Sequence, residues 1–244
     1  MKLAEIFLTR VLEQLQALAR TQREGIEQAA GWFADALASE HWIYLFGTGH
    51  SHMLAEELFY RAGGLARVVP MLYEPLMLHA SASESTRWER DIEVVPRLFE
   101  RYPIQAEDVL VVASNSGRNA VPVELALQAR RRGARVVAIV NRQQCERWPS
   151  RHPSGQRLSE VAELVLDNCG VEGDACVPVP ELGLSVGPTS TIAGAALLQM
   201  IVCGAVEKAI ERGLHPEIFC SSNTVGDDTN AAILAKYRGR VPHL

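Results

Sequence analysis

The sequence predicts an α/β protein in which parallel strands alternate with helices. Three observations carry this. The apolar run Trp42-Ile-Tyr-Leu-Phe46 gives way to Gly47-Thr-Gly-His-Ser-His52 and then to helical spacing at Leu54, Leu58 and Ala62. That is strand, glycine-rich turn, helix. The same order recurs about 65 residues on, in Asp108-Val-Leu-Val-Val-Ala113, Ser114-Asn-Ser-Gly-Arg-Asn119 and a helix from about Val121 to Arg132. Two such turns fit adjacent crevices at the carboxyl ends of parallel strands. Finally, 244 residues that are 48% hydrophobic and 22% charged suit one large soluble domain.

Taken in order, residues 3–20 repeat apolar residues at helical spacing: Leu3, Phe7, Val11, Leu15 and Leu18. A second helix spans roughly Thr21 to Ala38, with Ile26, Ala29, Phe33 and Leu37 on one face. Strand one covers 42–46, and its helix stops at Gly63-Gly64. Strand two covers 67–71. Residues 81–107 read as a polar loop and a helix carrying Val94, Val95, Leu98 and Phe99. Strand three is 109–113, and strand four, 135–140, follows the Gly133 stop. A long polar connection, 141–155, leads to strand five at 162–167. Residues 168–187 are Gly- and Pro-rich, with a short edge strand near 175–179. Pro188-Thr-Ser-Thr191 opens a helix running to about Arg212, apolar on much of its surface and therefore buried in the core or between subunits. The tail ends in a helix over 231–237. This divides the chain into an N-terminal helical pair (1–40), a central domain (41–213) and a C-terminal extension (214–244).

Formal net charge is −5 and no long basic run occurs, which argues against a nucleic-acid surface. No apolar segment is expected to reach the length and purity of a membrane span. Five cysteines without a Cys-x-x-Cys pair point to a reducing, cytoplasmic setting.

The site residues follow from the turns. Gly47, Thr48 and Gly49 leave room beside the backbone, and Ser51 adds a hydroxyl donor at a helix start, so the first loop is suited to an anion such as a phosphate ester. His50 and His52 flank Ser51. In the second loop Ser114 and Ser116 offer hydroxyls, and Gly117 opens the turn. Thr189, Ser190 and Thr191 form a third polar wall, one of them a helix cap. Glu74, past the carboxyl end of strand two, and His79 are acid–base candidates. Glu57, seven residues after His50, faces the loop or pairs with Arg61. The tail segment 221–230 packs eight hydrogen-bonding side chains into ten residues. It is either a flexible loop or a loop that closes over a sugar.

At these residues the chain resembles the sugar isomerase (SIS) family of phosphosugar-binding domains. Gly47-Thr-Gly-His-Ser51 resembles the family's first loop. Ser114-Asn-Ser-Gly-Arg-Asn119 resembles its Ser-Thr-Ser-Gly phosphate loop, with Asn115 in the Thr place and Arg118 and Asn119 continuing it. Pro188-Thr-Ser-Thr191 is similar to the start of its last helix. Gly-Thr-Gly-His-Ser-His, Glu-Pro-Leu-Met-Leu-His and Ser-Gly-Arg-Asn resemble the UPF0309 group, which is likened to phosphoheptose isomerases. The resemblance implies a three-layer, flavodoxin-like sandwich with a five-stranded parallel sheet. It also implies a sugar phosphate ligand and a homodimer or tetramer. Several reactions stay open: aldose–ketose isomerisation through an enediol, an etherase or lyase, or a sensor that only binds. Phosphoheptose isomerases carry a Glu ten residues beyond the first-loop Ser. Here that place is Arg61, with Glu56 and Glu57 about a turn earlier, so Glu57, Glu74 or His79 must act as the base. No metal or cofactor is expected, and a zinc site among His50, His52 and His79 is the alternative.

Overall fold

The computed structural model describes residues 2–224 and 226–244. Its centre is a five-stranded parallel sheet built from β1 (Ile43–Gly47), β2 (Val68–Pro70), β3 (Val109–Ala113), β4 (Arg135–Val140) and β5 (Leu164–Asp167). The strand order is β2-β1-β3-β4-β5. The strands are short apolar runs because both faces of the sheet are covered, so no alternation with polar residues is needed.

The pleat sends successive side chains into two cores. Ile43, Leu45, Val109, Val111, Val137 and Ile139 face one layer, and Tyr44, Phe46, Leu110, Val112, Val136 and Ala138 face the other. The first layer holds α1 (Lys2–Thr21), α2 (Arg23–Ala38), α3 (Met53–Leu58) and α9 (Ser190–Glu211). The second holds α5 (Val94–Arg101), α6 (Ala120–Arg131) and α8 (Leu158–Val161). Two short helices, α4 (Ala82–Trp88) and α7 (Arg142–Arg147), fill connections. The chain runs outward from β1 to β2 and then returns to β3. The order reverses between β1 and β3, and in such sheets the crevice outside the carboxyl ends of those strands is where ligands bind.

Four expectations need correction. The helix after the first loop does not reach Gly63. It is a 3-10 turn, Gly49–His52, followed by the six-residue α3, because the backbone becomes extended at Phe59 and Tyr60 takes a positive φ of 42°. The strand at 175–179 is not an edge of the main sheet. It is β6 (Ala175–Val179), which pairs antiparallel with β7 (Leu184–Pro188), Gly183 making the left-handed turn between them. By length and composition α9 does qualify as a membrane span, contrary to the expectation above. In the fold it is a core helix: Ala193, Leu197, Leu198, Ile201 and Ala205 pack with Ala29, Ala30 and Phe33 of α2.

The fourth correction concerns the tail. Its described part does not close over the carboxyl ends of the strands. Ile218 bridges to Leu65, just before β2, and Phe219, Ile233 and Tyr237 pack with Ala66. α10 (Asp227–Tyr237) thus docks at the amino end of the sheet, and beyond it His243 Nε2 lies 2.8 Å from the Tyr102 hydroxyl, which donates to the Leu72 carbonyl past β2. Of the polar side chains at 221–230, Asn230 turns inward to bond the backbone of Cys220.

Candidate functional site

The loops after β1 and β3 meet at the switch point. Gly47 is required in the first: a Cβ there would lie 2.4 Å from the backbone of Ser51, so any side chain would prise the turn open. In the second, Gly117 has φ +58°, and a Cβ would meet the Cys145 sulfur at 2.5 Å. Both glycines permit a chain path that a substituted residue cannot follow.

The structure brings Ser51, Ser114 and Asn115 together with Ser190, Thr191 and Asn168 around one recess. The recess is narrow, about 10 Å³, which admits roughly one water-sized group such as a phosphate oxygen. Its floor is held by backbone and amides. The Ser114 hydroxyl accepts from Gly117 N at 3.2 Å. Asn168 Nδ2 donates to Asn115 Oδ1 at 2.7 Å, and the Asn168 carbonyl accepts from Gln14 of α1 at 2.7 Å. Asn168 is a recess residue that the sequence reading missed, since nothing local marks it.

Other first-loop residues point elsewhere. Thr48 is buried, and its hydroxyl donates to Glu89 Oε2 at 2.7 Å. His50 is exposed, while His52 is buried with Nδ1 2.5 Å from the Gly49 carbonyl oxygen. The His52 ring lies 6.4 Å from that of His79, tilted. Among the described residues no group of three His, Cys, Asp or Glu is placed to hold a metal, so His50, His52 and His79 do not form one.

Of the expected third wall, Ser190 and Thr191 line the recess and Thr189 does not. The N-terminus of α9 is already capped by Asp174. Its Oδ1 accepts from Thr189 N at 3.0 Å and Ser190 N at 2.8 Å, and its Oδ2 accepts from the Ser190 hydroxyl at 2.6 Å. The hydroxyl of Thr189 is buried and has no partner among the described residues.

Glu57 bonds Arg61, and its Oε1 also accepts from Gln199 of α9 at 3.0 Å. Glu74 starts the 3-10 turn Glu74–Leu76 and is exposed, as is His79. Glu89, which nothing in the sequence singles out, meets the first loop. It is half-buried, bonded by Thr48, and its own carbonyl accepts from Val121 N at the start of α6. Asn119 is buried and accepts from Arg151 Nη1 at 2.8 Å, rather than lining the recess.

A crevice of this kind, on a β2-β1-β3-β4-β5 parallel sheet with two hydroxyl-bearing turns, defines a flavodoxin-like binding domain. The SIS domain matches residues 6–141. A UPF0309 protein of Thermoanaerobacter pseudethanolicus is 40% identical across 98% of this chain and 98% of that protein. Among solved structures, a phosphoheptose isomerase from Francisella tularensis superposes with a TM-score of 0.55 at 13% identity, covering 82% of this chain and 96% of that one. Vibrio vulnificus NanR, complexed with ManNAc-6P, gives a TM-score of 0.50 at 16% identity over 97% of this chain and 70% of that one. The chain therefore belongs to the SIS-domain family, and its full-length likeness is to the UPF0309 proteins.

Proposed function

We propose that the chain binds a sugar phosphate in the crevice between the β1 and β3 loops and isomerises it between aldose and ketose. One observation carries this reading. Hydroxyl and amide groups of Ser51, Ser114, Asn115 and Thr191 converge on one recess, with a half-buried carboxylate, Glu89, tethered to the same loop by Thr48. Ser116 and the backbone around Gly117 complete the second loop. A phosphate oxygen enters the recess, and the sugar lies outward along the crevice.

In this reading Glu89 moves the proton between C1 and C2 through an enediol, as a general base and then acid. Thr48 fixes the carboxylate with a hydrogen bond, which limits the rotation that would separate it from the substrate. Glu57, Glu74 and His79 act as controls. The phosphoheptose isomerase neighbour and a family of one fold support the reaction class by analogy. A second reading, a sensor without turnover, is favoured by the likeness to NanR in its complex with ManNAc-6P.

The test is exchange. Incubation with aldose phosphates in deuterated solvent should place deuterium at C1 or C2. Glu89→Gln at saturating substrate should lower kcat about 100-fold, the scale of a lost general base, whereas Glu74→Gln and His79→Asn should not. Tight binding without any exchange establishes the sensor.

A homo-oligomer of two or four chains belongs to this reading. Ile192, Met200 and Ile210 of α9 and Leu3, Leu8 and Leu12 of α1 are exposed apolar residues on long helices. Light scattering at micromolar concentration should give the mass of two or four chains. A monomer would refute this part.

A further inference from the structure

Three arginines beside the second loop form no ion pair among the described residues. Arg118 follows Gly117 in the second loop. Arg151 comes from the connection after α7, where its backbone N donates to the Arg118 carbonyl at 2.8 Å and its guanidinium to Asn119 Oδ1 at 2.8 Å. Arg90 follows Glu89, whose side chain reaches Thr48. Among the described residues none of Arg90, Arg118 and Arg151 forms an ion pair. Arg118 also carries a buried Nε that has no hydrogen-bond partner among the described residues, and its guanidinium sits 5.9 Å from the centroid of Trp148.

Fixing several cations together is unfavourable unless something offsets it. Partial desolvation, then the guanidiniums of Arg118 and Arg90, hold Arg151 below the ordinary arginine range, and Glu89 acts the other way. A planar fork of donors fits a carboxylate or phosphate in two-point contact. The recess lined by Ser51, Ser114 and Asn115 has no charged side chain in its lining. The two features therefore suit two different anionic groups on one ligand.

We propose that Arg118 and Arg151, with Arg90 at the rim, form a subsite for a second acidic group of the ligand, so that the substrate class is a sugar phosphate with a carboxylate or second phosphate at its other end. This rests on the phosphosugar reading given above. The recess holds one phosphate by neutral donors. The arginines hold the second acid, and they set which sugar phosphates are accepted.

Calorimetric titrations with glucose 6-phosphate, 6-phosphogluconate and glucose 1,6-bisphosphate test it. The wild type should bind one or both of the doubly acidic probes at least about 10-fold more tightly than glucose 6-phosphate, with the advantage shrinking as salt rises. The carboxylate and bisphosphate arms show which second group is preferred. In Arg118→Gln/Arg151→Gln the advantage should vanish, the doubly acidic probes binding no more tightly than glucose 6-phosphate, each lost charged hydrogen bond being of the right size for this. Arg90→Gln, at an exposed residue, should reduce the advantage about twofold and serves if the double variant is unstable. Equal binding of all three probes by the wild type overturns the proposal and leaves the phosphosugar reading standing. So does an equal loss for all three in the double variant, which would make the arginines the clamp for the single phosphate. Absence of binding by any probe overturns both.

Discussion

The two ends of the sheet treat their charges in opposite ways. At the amino end, arginines meet acids. Arg67 pairs with Glu40, Arg135 with Asp35 and Glu107, and Arg212 with Asp35. Asp108 is buried there, accepting from Trp42 N at 2.9 Å and Gln105 N at 2.8 Å. At the carboxyl end Arg147 pairs with Glu172, but among the described residues Arg90, Arg118 and Arg151 form no ion pair, and Arg118 Nε and Thr189 Oγ1 lack partners. Matched groups at one end hold the fold together. In the proposed reading, the unmatched arginines at the other end mark where a ligand completes the set.

Mutations on the two ends should therefore separate stability from binding. The largest effect is expected from Asp108→Ala, which strands two backbone N–H groups; it should cost about 3 kcal/mol in denaturant unfolding and leave the binding constant of the folded fraction unchanged. Next, Ser114→Ala/Ser116→Ala should weaken sugar phosphate binding about 10-fold or more with little change in unfolding, read by titration. An unaltered affinity would remove the recess from the site. Arg151→Gln should cost about 1 kcal/mol or less in stability, because the residue is exposed, forms no ion pair among the described residues and gives up one hydrogen bond, to Asn119. A loss as large as that of Asp108→Ala would erase the contrast between the ends.

The smallest effect concerns pH at the tail dock. Burial alone would raise the Glu217 carboxyl, but hydrogen bonds from Tyr237 and Lys236 outweigh it and hold the group below its usual range. A depressed carboxyl contributes stability above its unfolded pKa and loses it as pH falls through the folded value. Glu217 is about one-third exposed, so solvent screening keeps this below about 1 kcal/mol. Hydrogen exchange around Phe219 and Tyr237 should accelerate below about pH 4 in wild type and already be fast at pH 7 in Glu217→Gln.

The sheet was legible because each strand is a short apolar run bounded by glycine or polar turns, and both faces are covered. The serines of the second loop were legible for the same local reason. What escaped depends on contacts between distant segments. Glu89 reaches Thr48 across 41 positions and Arg151 reaches Asn119 across 32. Both sit in polar stretches that read as plain surface. Asp174 escaped because its capping role requires a positive φ of 70° that no neighbour announces. For Glu57 the sequence leaves two readings, facing the loop or pairing with Arg61; the pair with Arg61 is present, and Gln199, 142 positions away and invisible locally, joins it.

The packing of α2 on α9 has a consequence for how the chain reaches this state. The two helices cover the same sheet face, yet α2 ends at Ala38 and α9 begins at Ser190. During synthesis the side chains of Ile43, Leu45, Val109 and Val111 stay without their full cover until α9 has left the ribosome. Closing so wide a loop is slow, and the bare apolar face is open to wrong partners meanwhile. Expression yield should thus respond more to changes that delay α9, such as Gly or Pro placed within Ala193–Ala205, than to equal changes on the exposed β6–β7 hairpin.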